Sequence, residues 1–240
     1  MITTETKRCT GCGEIKTTAE FSRDAQKKDG LNGWCKACYV ARRRKWQGER
    51  LDWLPQYPQK LLGSGEFAFV LGALIADGTV DLSYISISSA DNTFIGAVRD
   101  ALETCGFLTR LYTYPNEYGT LMYHVYVNSR ATARLMYPLK YCEGAFEPFL
   151  QRHPTQFIRG FFSGDGSLFT DAGVVKASMS NNRRDILESI RSYMLSTMGL
   201  HPTNLHHSGR SYQFLLNRPT EVMKFLEVIC PYKPCLYSSS

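Results

Sequence analysis

The 240-residue chain has no apolar run near the ~20 residues that a membrane-spanning helix needs. Its first residues, Met1-Ile2-Thr3-Thr4-Glu5, lack the basic-then-apolar layout of a secretion signal. A soluble, cytoplasmic protein with no membrane partner is expected. At 43% apolar and 21% charged residues the chain is neither disordered nor collagen-like, and it is long enough to bury a sizeable core as one large domain or two smaller ones. Basic residues outnumber acidic ones in one place only. Residues 1–60 hold 13 basic and 7 acidic side chains, whereas residues 61–240 hold 15 of each, so the whole net charge of +6 lies in the first quarter. That asymmetry points to a basic appendage contacting a polyanion, joined to a body whose charge says nothing about partners.

Eight cysteines are present, yet a chain of this size does not need a disulfide scaffold. Cys9-x-x-Cys12 and Cys35-x-x-Cys38 form two pairs separated by 22 residues, close to the paired-knuckle spacing of structural zinc sites. Each turn presents two thiolates on one side of a tight loop, and two turns complete a tetrahedron around Zn²⁺. The segment between them is too polar to fold unaided, with Phe21, Leu31 and Trp34 as its candidate core, so metal binding has to supply much of the folding free energy. Cys105, Cys142, Cys230 and Cys235 lack paired spacing; Cys105 and Cys230 read as buried apolar positions on helices.

A helix-forming run, Tyr39 to Trp46, follows the second knuckle and carries Arg42, Arg43, Arg44 and Lys45 within one turn. Charge spread around a helix suits phosphate contacts more than recognition of a single base. The whole segment resembles the small four-cysteine zinc fingers attached to phage and bacterial nucleases. Pro55 to Lys60 and then Gly63-Ser64-Gly65 read as a linker.

The neutral body contains a repeat. Phe69 to Gly78 is echoed by Phe157 to Gly166 at a spacing of 88 residues, and Tyr123 to Asn128 by Tyr212 to Asn217 at 89. Between these matches lie two apolar-periodic helices, Asp91 to Cys105 and Arg183 to Met198, each ended by a glycine, Gly106 or Gly199. Strands are expected near 79–88, 108–114 and 121–127, and again near 167–178, 203–207 and 212–216. The first segment of each half turns back near Asp81 or Gly173. The predicted fold is α+β, a tandem pseudo-twofold αββαββα repeat with antiparallel sheets, plus the small N-terminal module. The expected boundaries are 1–50 for the finger and basic helix, 51–65 for the linker, 66–150 for the first repeat and 151–240 for the second.

The first helix of each unit carries a stripe of small residues, Gly72 and Ala76 in one and Gly160 and Gly164 in the other, which lets the two backbones approach closely. Asp77 and Asp165 close these helices, each followed by a glycine suited to a left-handed cap. A carboxylate at a helix C-terminus faces the negative end of the macrodipole, at a typical cost of about 0.3–1 kcal/mol. Side-by-side parallel packing would make the two carboxylates adjacent, which calls for a cation between them. Hard oxygen ligands with few companions suit Mg²⁺, and Mg²⁺ supports phosphodiester hydrolysis.

These residues resemble the LAGLIDADG homing endonucleases, whose motif is matched by Val70 to Gly78 and Ile158 to Gly166. Ile75 and Ser163 replace the motif's earlier acid. The resemblance runs from about residue 60 to 235. It implies a monomeric, single-chain, two-repeat DNA endonuclease with a saddle of strands in the major groove of a long pseudo-palindromic target. Carried over by position, Asp77 and Asp165 are the metal-binding catalytic acids, assisted by the carbonyls of Ala76 and Gly164. Arg218 falls where the family tends to place a basic residue before the third helix. Asp91 and Asn181 are candidate water-organising positions.

Alternating strand residues form the expected DNA face: Ser86 and Ser88, Arg110, Tyr112 and Tyr114, His124 and Tyr126, Lys176 and Ser178, and His207 with Arg210 and Gln213. The chain lacks a splicing Cys or Ser at its start and a terminal His-Asn, which favours a free-standing or intron-encoded enzyme of prokaryotic or phage origin over an intein-embedded one. The rival from another class is an RNA maturase or non-catalytic DNA-binding regulator on the same fold.

Overall fold

The computed structural model describes residues 5–24, 27–41 and 59–232. It forms two units, Met1–Pro55 and Gln56–Ser240. Among the described residues no helix is long and apolar enough to cross a membrane.

The first unit consists of two small hairpins. Strands β1 (Thr6–Arg8) and β2 (Ile15–Thr17) pair antiparallel around the Cys9–Cys12 turn, and β3 (Phe21–Arg23) pairs with β4 (Leu31–Cys35), which leads into helix α1 at residues 36–41. Its core is Cys9, Phe21 and Cys35, with Leu31 and Cys38 packed against them. So little apolar surface cannot offset the ordering entropy of the segment without a further staple. The basic residues Arg42, Arg43, Arg44 and Lys45 lie outside the described residues.

The second unit begins with α2 (Gln59–Leu62) and α3 (Gly65–Asp77). Part of the expected linker is therefore ordered: Ser64 caps α3, its hydroxyl accepting from the Phe67 N–H at 3.1 Å. Strands β5 (Gly78–Val80) and β6 (Ile85–Ser89), helix α4 (Asn92–Thr104), strands β7 (Arg110–Pro115) and β8 (Leu121–Val127), and helix α5 (Arg130–Tyr141) complete the first half. Helix α6 (Glu147–Arg152) follows and has no counterpart after α9 among the described residues. The second half runs α7 (Pro154–Asp165), β9 (Gly166–Asp171), β10 (Val174–Asn181), α8 (Arg184–Ser196), β11 (His206–Ser208), β12 (Ser211–Leu216) and α9 (Pro219–Ile229).

The two sheets have the same antiparallel order, β5-β6-β8-β7 and β9-β10-β12-β11. Each buries one alternating set against helices: Ile85, Ile87, Val125 and Val127 in the first, Ala177, Met179, Phe214 and Leu216 in the second. Gly106 and Gly199 end α4 and α8 with φ of +87° and +61°, the left-handed cap expected of them. Cys105 is half-buried rather than buried, and Cys230 is exposed at the left-handed end of α9.

Helices α3 and α7 meet through their small-residue stripes. A Cβ built on Gly72 would overlap the Phe157 carbonyl and lie 2.8 Å from Phe161 N; one on Gly160 would overlap the Phe69 carbonyl and lie 2.9 Å from Ala73 N. The contact is reciprocal, as a pseudo-twofold axis requires. Gly78 and Gly166 do not adopt the left-handed cap expected of them. Both are extended, with φ of −86° and −81°, and the chain passes directly from helix into strand. Glycine is needed there for space, because a Cβ would collide with the Leu74 backbone in one copy and with Phe162 in the other.

Gly72→Ala is therefore expected to destabilise the second unit by about 3 kcal/mol through overpacking. Gly96→Ala, in α4 with no atom within 4 Å of the added methyl, should instead stabilise it by about 0.5–1 kcal/mol. Urea unfolding midpoints check both; equal midpoints for the two variants would contradict this account of the helix contact.

Candidate functional site

The last residues of α3 and α7 stand at the centre of the repeat. A Cβ on Gly164 would lie 3.1 Å from Asp77 Oδ2, so the Asp77 carboxylate passes over the α7 backbone one residue before Asp165. Asp77 is exposed and Asp165 half-buried. The motif positions that lack the earlier acid are both deep: Ile75 is 4% exposed and Ser163 6%. Ser163 also accepts a hydrogen bond from Tyr232 N at 3.1 Å. An acid at either position would be buried without gain, so its loss here follows from packing.

One lysine answers the charge problem at these helix ends. Lys140, on α5, is only 9% exposed, and its Nζ donates to the carbonyls of Leu74 (2.5 Å), Ile75 (3.2 Å) and Gly78 (2.7 Å). It thus satisfies the last turn of α3 and sets a positive charge against the macrodipole's negative end. Burial pushes its pKa down to about 8, while Asp165 and Asp77 both pull it upward. Both carboxylates therefore act on one ammonium.

Around Asp165 a cleft of about 600 Å³ is lined by Ala76, Lys140, Asn181, Arg183 and Arg210, among others. Asn181, at the end of β10, donates its amide to Asp165 Oδ2 and accepts Arg183 N at 2.9 Å. Arg183 in turn binds the carbonyls of Lys140 and Cys142 and pairs with Asp185, which fixes the end of α5 against α8. Of the two candidate water-organising positions, Asn181 stands on the carboxylate. Asp91 does not: its side chain caps α4, accepting from Thr93 N at 2.8 Å and Phe94 N at 3.1 Å. Arg218 begins α9, its side chain 67% exposed and donating to Glu221 Oε1 at 3.1 Å.

The sheet faces turned away from the helices follow from register. In the first sheet Arg110 pairs with Tyr126, Tyr112 with His124, Ser86 with Tyr126 and Ser88 with His124, so all six share one face. In the second, Lys176, Ser178, Ser180 and Gln213 share a face. Lys176 pairs with Asp171 at 2.6 Å, and Arg210 sits in the β11–β12 turn. His206, not His207, lies opposite Gln213, whereas His207 faces Tyr212. Adjacent strand residues alternate, and the observed register selects the first histidine.

In the first unit the four sulfurs of Cys9, Cys12, Cys35 and Cys38 lie within 4.8 Å of one another. A tetrahedral ion with M–S of about 2.3 Å sets sulfurs about 3.8 Å apart, so the cluster fits one. Cys35 N and Gly11 N both donate to Cys9 Sγ, at 3.2 and 3.3 Å, and Cys38 N donates to Cys35 Sγ at 3.4 Å. The Cys35 N–H holds the Cys9 pKa down to about 6, whereas the neighbouring Cys35, Cys12 and Cys9 side chains and burial push Cys38 up to about 12. Sulfurs this close could all be thiolates only with a cation between them.

A family model for the LAGLIDADG-like domain matches residues 64–137 and 153–230. The chain belongs to the LAGLIDADG family. No curated protein matches it by sequence, but solved structures share the LAGLIDADG fold. The homing endonuclease I-DmoI, in complex with DNA and Mn, superposes with a TM-score of 0.51 at 16% identity over 72% of this chain and 98% of that one. I-WcaI, a homing endonuclease bound to its DNA recognition sequence, gives 0.53 at 11% over 72% and 84%. Full-length DUF199/WhiA from Thermatoga maritima gives 0.52 at 13% over 70% of this chain, which spans only 58% of that protein's length.

Within this LAGLIDADG chain, Lys140 and Arg183 escaped the sequence reading. The available signal was a cation closing the apolar run Leu135 to Leu139. Lys140→Met should cost roughly 1–3 kcal/mol, since three carbonyls lose their donor beside two carboxylates. A urea midpoint equal to that of the wild type would show that the lysine does not hold the end of α3.

Proposed function

We propose that the chain is a site-specific double-strand DNA endonuclease that hydrolyses phosphodiesters with Mg²⁺ at the meeting point of α3 and α7. The observation that carries this reading is the pair of helix-terminal carboxylates, Asp77 and Asp165, facing one buried ammonium. The two aspartates would hold the metal, with the carbonyls of Ala76 and Gly164 as further oxygen donors. Bound there, Mg²⁺ supplies a water of lowered pKa and offsets charge on the leaving oxygen. Lys140 contributes a fixed positive charge that a phosphate entering the site meets without reorganisation. Asn181 orients the Asp165 carboxylate, and Arg218 is assigned a phosphate near the second half. Both carboxylates come from one chain, so a monomer suffices.

In this reading the strand residues Arg110, Tyr112, His124, Tyr126, Lys176, Arg210 and Gln213 meet the DNA. The four-cysteine module binds Zn²⁺ as a structural ion, and Arg42, Arg43, Arg44 and Lys45 after it hold phosphates. The division of the chain is 1–50 for the finger, 51–65 for the connection, 66–150 and 151–240 for the repeats.

Duplexes cut in the presence of Mg²⁺ are to be selected from a randomised library. Asp77→Asn and Asp165→Asn should each lower cleavage roughly 100-fold or more while retaining duplex affinity. Absence of any cut duplex, together with tight binding of structured RNA, would favour the maturase and sink this reading. For the finger, metal analysis should find about one zinc per chain. Cys35→Ser should lose it and reduce the slope of log affinity against log salt by roughly 3 to 4; retained zinc with an unchanged slope would refute the assignment.

A further inference from the structure

The two sheets match in topology but not in chemistry. Register equates Tyr112, Tyr114, His124 and Tyr126 of the first sheet with His206, Ser208, Gln213 and Leu215 of the second. One face thus carries a continuous aromatic cluster where the other carries mostly hydrogen-bonding groups. The cluster is ordered in advance: Tyr112 meets Tyr126 edge to face at 5.4 Å, His124 stacks on Tyr126 at 5.8 Å, and Tyr114 packs on His124 at 4.5 Å. Tyr114 Oη and His124 Nε2 also share a hydrogen bond. Burial holds the His124 pKa below its usual value, and Arg110 pairs with Tyr126 on the same face. Even so, Tyr112 and Tyr114 remain 49% and 44% exposed among the described residues.

Resting on the endonuclease reading, we infer that the first sheet reads its half of the target through thymine methyl groups, whereas the second reads its half by hydrogen bonding, so the two half-sites differ in chemistry despite the protein's pseudo-symmetry. The thymine C5 methyl is the apolar group that base edges present in the major groove. An aromatic, pre-ordered surface gains from that group and loses little side-chain entropy on meeting it. The second sheet offers Gln213 and His206, and glutamine is suited to the N6/N7 edge of adenine. Uridine lacks the methyl, so this chemistry also favours DNA over RNA. The cluster is a poor single-strand platform at its centre, where His124 is 9% exposed and stacked on Tyr126.

The test uses the full chain and the duplex selected above. Thymines are replaced by deoxyuridine, which removes only the methyl, in one half-site at a time, and Kd is measured. One half should weaken roughly fourfold per contacted base, the other should stay within twofold, and Tyr112→Ala or Tyr114→Ala should erase the difference. Equal responses in both halves, a selected site without thymines, or a sensitive half indifferent to both tyrosine variants would overturn the inference and leave the endonuclease standing. Tyrosine-dependent preference for single strands over the duplex would overturn it as well. A chain that cuts no duplex at all removes both readings together.

Discussion

The second unit depends on two backbones touching. Gly72 and Gly160 let α3 and α7 approach until a methyl group would strike a carbonyl on either side. Such contact forfeits side-chain burial at the seam, and it is offset by the apolar residues flanking it, Phe69, Ala73, Phe157 and Phe161, all 6% exposed or less. Because each glycine faces the same place on the other helix, one interaction fixes both halves. The sheets, hung from the helices by Gly78 and Gly166 without an intervening loop, take their positions from it.

Close approach brings a cost of its own. Two helix ends of negative potential and two carboxylates converge in a small volume, which an apolar interior cannot tolerate. The chain meets this with Lys140, carried in from α5 and bonded to three carbonyls, while Arg183 and Arg210 line the same cleft. On the proposed reading, a divalent ion held by the two aspartates completes the balance. The buried hydroxyl of Ser163 and side chain of Ile75 show the same economy from the opposite side: deeper in the helix pair no charge is kept.

Much of this was legible in the sequence. The repeat spacing, the small-residue stripes, both aspartates, the strand order and the four cysteines are all local or periodic signals, and physical chemistry translates them directly. Less legible were features that depend on what comes near in space. Gly78 and Gly166 read as left-handed caps because Asp-Gly suggests a turn, whereas Leu74 and Phe162 demand the missing Cβ. Asp91 looked like a water organiser and is an N-cap, because the same residue type serves both roles and only the hydrogen bonds to Thr93 and Phe94 decide. Lys140 lies 63 residues from Asp77, and the apolar run before it signals burial without naming the partner. Helix α6 lies across the expected boundary between the repeats, and its Phe149 packs on Phe67 at 5.2 Å.

The direct passage from helix to strand at Gly78 and Gly166 has one more implication. On the proposed reading, the distance between the two broken phosphates is a property of the helix pair, whereas the bases recognised are a property of the sheets. The recognition face can then drift, side chain by side chain, while the stagger of the cut ends stays constant. A lineage built this way can move to new addresses in a genome and still leave the same overhang for repair.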